Sequence, residues 1–338
     1  MSVHSIGDQA RAFALQAASY RLKTTLATLT DEMATGEVAD LGQRLNGNTQ
    51  VLGHIEARIT GLDQFRRNAT EAALIVRGMQ DVLVSVHSDV GALGLSLVAE
   101  PFNETESLLE MRAGEVAGAF ETAVARFNRS VGDRFLFSGL NSDMAALAQA
   151  SEIMDALEMA TTGLTNAADI AQAVSDWFDA PQGAGGFLDV AYQGTLGQPQ
   201  RIEIGEGEAI GLSTSAATPA LRDVLKGLAT AALVDRGVLA GQHQERRDLM
   251  QIGGQILLDN NSNLLSEMGR IGLGQQIVDR AQTESASALA TLQIARNDLR
   301  AADPYETAGA LKQVEAQLEA LYAVTARLSS LKLVDFLR

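Results

Sequence analysis

At 338 residues, with 46% hydrophobic and 20% charged side chains, the chain can form two or three domains and is too apolar to be wholly disordered. A formal net charge of −16 repels nucleic acid phosphates and anionic lipid, which argues against both as partners. Aromatics make up only 4%, a mix that suits close helix packing better than an aromatic-lined ligand pocket.

No cysteine is present. That fits a reducing compartment, or an exit from the cell that avoids oxidative folding. Met1-Ser2-Val3-His4-Ser5-Ile6-Gly7-Asp8 lacks the basic cluster and apolar core of a secretory signal peptide. No stretch reads as approaching the roughly 20 apolar residues that span a bilayer.

A first helix is predicted from about Ile6 to Met33, with Leu15, Leu22, Leu26, Leu29 and Met33 at helical spacing. Ala34-Thr35-Gly36-Glu37 should stop it, because glycine tolerates the left-handed geometry that ends helices. A looser stretch follows to about Asn48. The longest helix is predicted over Leu52–Leu97, where apolar residues recur by threes and fours. Its length at 1.5 Å per residue is roughly 70 Å. Gly78, Gly91 and Gly94 either weaken it by about 1 kcal/mol each or admit a close neighbour. Pro101-Phe102-Asn103 breaks the rod. A third helix follows from about Glu104 to Asp133, with Leu108, Met111, Val116, Phe120, Ala123, Phe127 and Val131 inward.

Beyond Leu140 the texture changes. Helices are predicted near Ser151–Thr162 and Ile170–Phe178, and strands over Phe187–Tyr192, Arg201–Ile204 and Leu212–Ser215. Pro219 begins another helix to about Val234. From about Gln242 helical spacing returns, and Ile277, Ala281, Ala288, Leu292 and Leu299 continue it. Asp303-Pro304-Tyr305-Glu306 restarts a helix, with Asp303 as cap, Pro304 at the first position and Glu306 where a capping box places it. This last helix carries Leu311, Val314, Leu318, Leu321, Leu328 and Leu331 on one stripe and runs to about Val334.

The fold class expected is mainly α: a long helical bundle built from both chain ends, with a small inserted α+β domain. Three divisions are expected. Residues 1–35 with 304–338 form the terminal helices, 36–139 with 262–303 a long-helix bundle, and 140–261 a solvent-facing insert. The two terminal stripes each need a partner helix. They can pack on each other, on copies of the chain, or on both. A two-helix unit is marginal alone, so Leu15, Leu22, Leu26, Leu29, Met33, Leu311, Val314, Leu318, Leu321, Leu328 and Leu331 are the candidate subunit interface. Both ends are expected to be mobile in the isolated chain.

Chemical motifs are weak. His4, His54, His87 and His243 have no metal-ligand spacing, and no metal or cofactor is expected. Gly205-x-Gly207-x-x-x-Gly211 lies among strand signals without the helix that a phosphate loop needs, and reads as a turn. Asp40, Asp63, Asp81, Glu100, Glu104, Glu106 and Glu110 read as solvated faces or caps. Asn68, Asn103 and Asn260 each begin a glycosylation triplet. Trp177 and Phe178 read as core.

Three runs carry a resemblance: Asp31-Glu32-Met33-Ala34-Thr35-Gly36, Asp133-Arg134-Phe135-Leu136-Phe137-Ser138-Gly139, and Asp303-Pro304-Tyr305-Glu306-Thr307-Ala308 through Tyr322–Leu328 to Leu333-Val334-Asp335-Phe336-Leu337. With them the chain resembles the flagellin superfamily, and within it the hook-associated proteins of the hook–filament junction. Val38-Ala39-Asp40-Leu41-Gly42-Gln43-Arg44-Leu45 departs from the stretch that flagellins proper carry after the first helix. The C-terminus lacks their Gln-Ala-Asn segment.

The resemblance implies a non-enzymatic structural component of the bacterial flagellum, an adaptor ring joining hook to filament. It implies export unfolded through the flagellar type III channel, and an extracellular site after a transient cytoplasmic stage. The implied partners are other copies in a ring, a larger hook-associated protein on the hook side, flagellin on the filament side, and an export chaperone on the C-terminal helix. A short flagellin forming the filament itself is the alternative. A coiled-coil signalling module is more distant, because the insert sits where a hairpin tip should be. An enzyme within 140–261 lacks a nameable nucleophile–base pair.

Overall fold

The computed structural model describes residues 3–99, 105–198 and 200–336, with side-chain environments for 9–99, 105–198 and 200–328. The break at Pro101-Phe102-Asn103, with Glu100, Glu104 and Pro199, lies outside the described residues. The elements in order are α1 (Val3–Thr35), α2 (Leu41–Arg44), α3 (Gln50–Val98), α4 (Glu106–Phe127), β1 (Ser130–Val131), β2 (Arg134–Phe135), α5 (Ala150–Ala160), α6 (Ala167–Asp179) and α7 (Phe187–Val190). Then come β3 (Gln200–Gly205), β4 (Glu208–Leu212), α8 (Pro219–Ala232), α9 (His243–Asp259), α10 (Asn261–Arg300) and α11 (Pro304–Phe336). The fold is mainly α, with two small antiparallel hairpins, β1–β2 and β3–β4, among the described residues. The chain divides into two compact units, 1–62 with 287–338, and 63–286.

The 63–286 unit has one continuous core. It holds Val76, Leu83, Val86 and Val90 of α3, Val116, Phe120 and Phe127 of α4, Ile153 and Leu157 of α5, Ile170 and Phe178 of α6, and Leu221 to Leu233 around α8. Leu136 and Phe137, and then Ala146 and Leu147, belong to it on either side of the expected boundary at 139/140. α8 packs on α9 and α4, and α6 packs on α8 and α9.

Helix α9 gets close by having no side chain at two positions. A Cβ on Gly253 would lie 2.7 Å from the Gly227 carbonyl oxygen, and one on Gly254 would lie 2.7 Å from Leu97 Cβ. Gly78 and Gly94 on α3 likewise meet Val131, Leu136 and Leu258 at 3.0–3.3 Å, whereas Gly91 faces open space.

The run Arg134–Gly139 is a crossing point. Ala216 N–H donates to the Phe137 carbonyl (2.8 Å) and Thr195 N–H to the Ser138 carbonyl (3.0 Å). Gly139 has φ +71°, and a Cβ there would fall 2.4 Å from the Thr195 carbonyl oxygen, so only glycine fits. The ring of Phe137 meets Phe127 edge-on at 5.6 Å.

Several expectations change in phase or type. Met111 is exposed and Leu108 half-buried, while Leu109 and Ala113 face the core. Ile277 is exposed, and Val278 takes the inward place. Residues 128–133 leave the third helix to form the β1–β2 hairpin, and Gly132 supplies its positive φ. Phe187–Tyr192 is not a strand. Gly186 opens the short α7, Phe187 stacks on Phe178 at 5.3 Å, and only Tyr192 pairs, across to Leu147. The second strand of the larger hairpin begins at Glu208, so the glycine-spaced run Gly205–Gly211 is a hairpin around Gly207, with φ +74°.

One helix corrects the membrane reading. α3 contains a window with mean hydropathy 1.4, long and apolar enough to cross a bilayer by length and composition. Its inward residues Val76, Met79, Leu83, Val86, Val90 and Leu97 are core of the 63–286 unit.

Candidate assembly site on the terminal helices

The unit formed by 1–62 and 287–338 brings the two chain ends together. α1 stops at Gly36, whose φ is +70° and whose N–H donates to the Glu32 carbonyl at 2.8 Å. The chain then crosses the end of α10. Val38 N–H donates to the Arg300 carbonyl, and Ala302 N–H to the Gly36 carbonyl, each at 2.9 Å. Arg300 Nη2 closes this bridge on Glu37 Oε2 at 2.7 Å. Asp303 follows at once and caps α11, accepting from Tyr305 N–H at 2.8 Å and Glu306 N–H at 3.3 Å. Because α1 ends and α11 begins at the same bridge, the two helices run antiparallel along one another, and they are in contact.

Their seam is the pair of stripes. Val314 and Leu318 are buried, as is Thr307. Leu15, Leu22, Leu26, Leu29, Leu311 and Leu321 are half-buried. Met33 and Leu328 are exposed at the two extremes, and the side chain of Leu331 lies outside the described residues. Lys23 Nζ sits 5.8 Å from the Tyr322 ring centroid, tying α1 to α11 across the seam edge. Such an exposed contact contributes about 0.5–1 kcal/mol. The seam leucines thus give each terminal helix a partner within its own chain.

Two helices share one seam, so the rest of each surface meets water. Phe13 is 74% exposed, Tyr20 72% and Tyr305 91%. The stripe reading passed over Phe13 and Tyr20, although their seven-residue spacing marks a second ridge on α1. Charge sets these helices apart as well. Arg11, Arg21 and Lys23 balance Asp8, Asp31 and Glu32 in residues 1–35. Lys312, Arg327, Lys332 and Arg338 balance Glu306, Glu315, Glu319 and Asp335 in residues 304–338. The net −16 therefore belongs entirely to residues 36–303.

The other candidate groups serve the fold. Asp40 Oδ1 caps α2 by accepting from Gln43 N–H at 3.0 Å, and Asp63 pairs with Arg66 at 3.1 Å. Glu106 receives Arg246, and His243 Nδ1 at 2.5 Å, which joins α4 to α9 beside an open cleft of about 470 Å³ that Glu110 also lines. His87 Nε2 meets Asn261 Oδ1 at 2.9 Å, His54 is exposed, and the His4 side chain lies outside the described residues. Among the described residues, no three His, Asp or Glu side chains gather as a metal-holding group. Asn68 donates to the Glu203 carbonyl at 2.8 Å. Asn260 is buried and donates to the Ala220 carbonyl at 2.7 Å. Asn103 lies outside the described residues.

Asp189 is held below the usual carboxylate range because Gly183 and Gly185 amides donate to it at 2.8–2.9 Å. Desolvation raises the Tyr192 phenol. Tyr192 Oη donates to the Thr195 carbonyl at 3.4 Å.

No family model matches the chain, and no curated protein matches it. Several solved structures are similar, and two of them illustrate the likeness. One, from Vibrio parahaemolyticus and described as a flagellar hook-associated protein, is 14% identical at a TM-score of 0.49, over 74% of this chain and 96% of its own. The other, Bacillus cereus FlgL, is 12% identical at a TM-score of 0.47, over 73% of this chain and 99% of its own.

Proposed function

We propose that the chain is a non-catalytic structural component of the bacterial flagellum, an adaptor ring that joins hook to filament outside the cell. The observation that carries this reading is the pairing of the two chain ends into an antiparallel helical pair that keeps exposed aromatic side chains and has no net charge. A neutral pair with uncovered apolar surface on an otherwise strongly acidic chain is suited to association through its ends. The runs 31–36, 133–139 and 303–337, which resemble the flagellin superfamily, specify the kind of assembly.

On this reading the chain contacts other copies of itself within the ring, a larger hook-associated protein on one side and flagellin on the other. It is exported through the flagellar type III channel after binding a chaperone in the cytoplasm. A strain lacking the gene should build hooks without filaments and release unpolymerised flagellin into the medium. Normal filaments on such a strain would remove the proposal. Seeded growth separates it from the filament-subunit reading: an adaptor stops after a limited layer, whereas a filament subunit extends without limit.

A further inference from the structure

The connector between α1 and α3 holds the pair Asn46–Gly47, and no other asparagine of the chain precedes a glycine. This pair closes the C-terminal end of α2. Asn46 has φ +50° and Gly47 φ +78°. Asn46 N–H donates to the Gln43 carbonyl at 3.2 Å, and Gly47 N–H to the Gly42 carbonyl at 2.8 Å. These are the two bonds of a Schellman cap, with Asn46 at its left-handed position. Asparagine is one of the few residues with a side chain that accept this conformation.

Little else holds the connector shut. α2 has four residues and buries none of them, and Asn46, Gly47 and Asn48 are exposed. A single helical turn is not stable by itself, and a segment with few buried contacts opens at small cost in free energy. Nothing lies within 4 Å of where a Cβ on Gly47 would be. Glycine itself has no Cβ, so approach to its backbone nitrogen is unhindered once the cap opens.

We propose that Asn46–Gly47 is a self-modifying site, and that the Schellman cap is the guard that sets its rate. While the cap is closed, the Gly47 nitrogen is committed to the Gly42 carbonyl. When it opens, that nitrogen attacks Cγ of Asn46. The N–Cγ bond forms, the Cγ–Nδ2 bond breaks, and the amide proton leaves with Nδ2 as ammonia. The product is a cyclic succinimide. Water then opens the ring at either carbonyl: attack at Cγ gives aspartate, and attack at the main-chain carbonyl gives isoaspartate. Water is the only co-reactant.

The change is one-way, because the ammonia is lost. Both products carry a carboxylate where Asn46 was neutral. Isoaspartate also adds one carbon to the main chain, so Gly47 N–H no longer meets the Gly42 carbonyl in register. The joint between α1 and α3 therefore loosens as the molecule ages. The chemistry is independent of what the terminal pair assembles with.

The test incubates the full chain at neutral pH, native and in urea, and follows isoaspartate at residue 46 by peptide mass spectrometry and isoaspartyl methyltransferase labelling. Conversion should occur in both, more slowly in the native chain. Asp40→Ala removes the N-cap bond to Gln43 N–H. It should raise the native rate about threefold or more and leave the rate in urea unchanged. Asn46→Gly keeps the left-handed turn and should leave this peptide unlabelled. Three results would each overturn the proposal: a native chain that stays unconverted while the unfolded chain converts, equal native and unfolded rates, or a native rate that Asp40→Ala does not move.

Discussion

The 63–286 unit and the terminal pair solve the burial problem differently. In the first, Phe120, Phe127, Phe137, Phe178 and Phe187 are fully covered by helices on several sides. In the second, the best-covered apolar seam residues, Val314 and Leu318, keep 7–8% exposure, and most of the seam stays half-open. Full burial of a large apolar side chain contributes about 1.5–3 kcal/mol, and half-burial proportionately less. The larger unit closes on itself, whereas the described residues of the pair keep much of their apolar surface open. That contrast separates a body whose core is closed from a helical pair whose seam is left half-open.

Single substitutions can break or sharpen it, and Trp177, the sole tryptophan, reports on the larger unit alone. The largest effect is expected for Phe137→Ala. It removes a fully buried ring at the crossing of 134–139 and should lower the stability of the unit by about 3–5 kcal/mol in denaturant unfolding followed by Trp177 fluorescence. Gly253→Ala should cost about 1–3 kcal/mol on the same readout. The new methyl group meets the Gly227 backbone, which cannot move as a flexible side chain would.

Leu318→Asp places a charge in the seam. It should cost the pair about 2 kcal/mol, seen as lost helix content and lost assembly, with the Trp177 transition unmoved. A shift in that transition would mean that the two regions do not bury their cores separately. Asp303→Ala removes the α11 cap, and about 1 kcal/mol of loss should appear as faster amide exchange in the first turn of α11.

Asp189→Asn should give the smallest change, confined to the 181–186 loop. The folded carboxylate titrates below its unfolded value, so its contribution is present above about pH 4 and fades as pH falls further. The difference between variant and parent in proteolysis of that loop should therefore shrink below pH 4.

Strong helical spacing made the long elements readable. α1, α3 and α11 start and stop within a few residues of expectation, because Gly36 and Asp303-Pro304 carry their own stop and start chemistry. Short elements were less readable for a physical reason. The apolar spacing of Phe187–Tyr192 suits a strand as well as one helical turn, and the stacking of Phe187 on Phe178 decides for the turn. Leu108 and Ile277 look inward by spacing, yet a one-residue change of helix phase hands their places to Leu109 and Val278, and Met111 is left exposed. The candidate site was half-visible. The seam leucines could be listed in advance, but the outward ridge of Phe13 and Tyr20 could not be told from core until the partner of α1 was known.

The sequence by itself determined the helical class, the capped joints at 36 and 303, and the charge balance of the two ends, since spacing, backbone chemistry and ionisable groups are local properties. Only the tertiary structure decided which stripe faces which. Periodicity says that a helix has an apolar side, but not whose surface covers it. Here the first and last helices cover each other, and what remains uncovered is the flank behind.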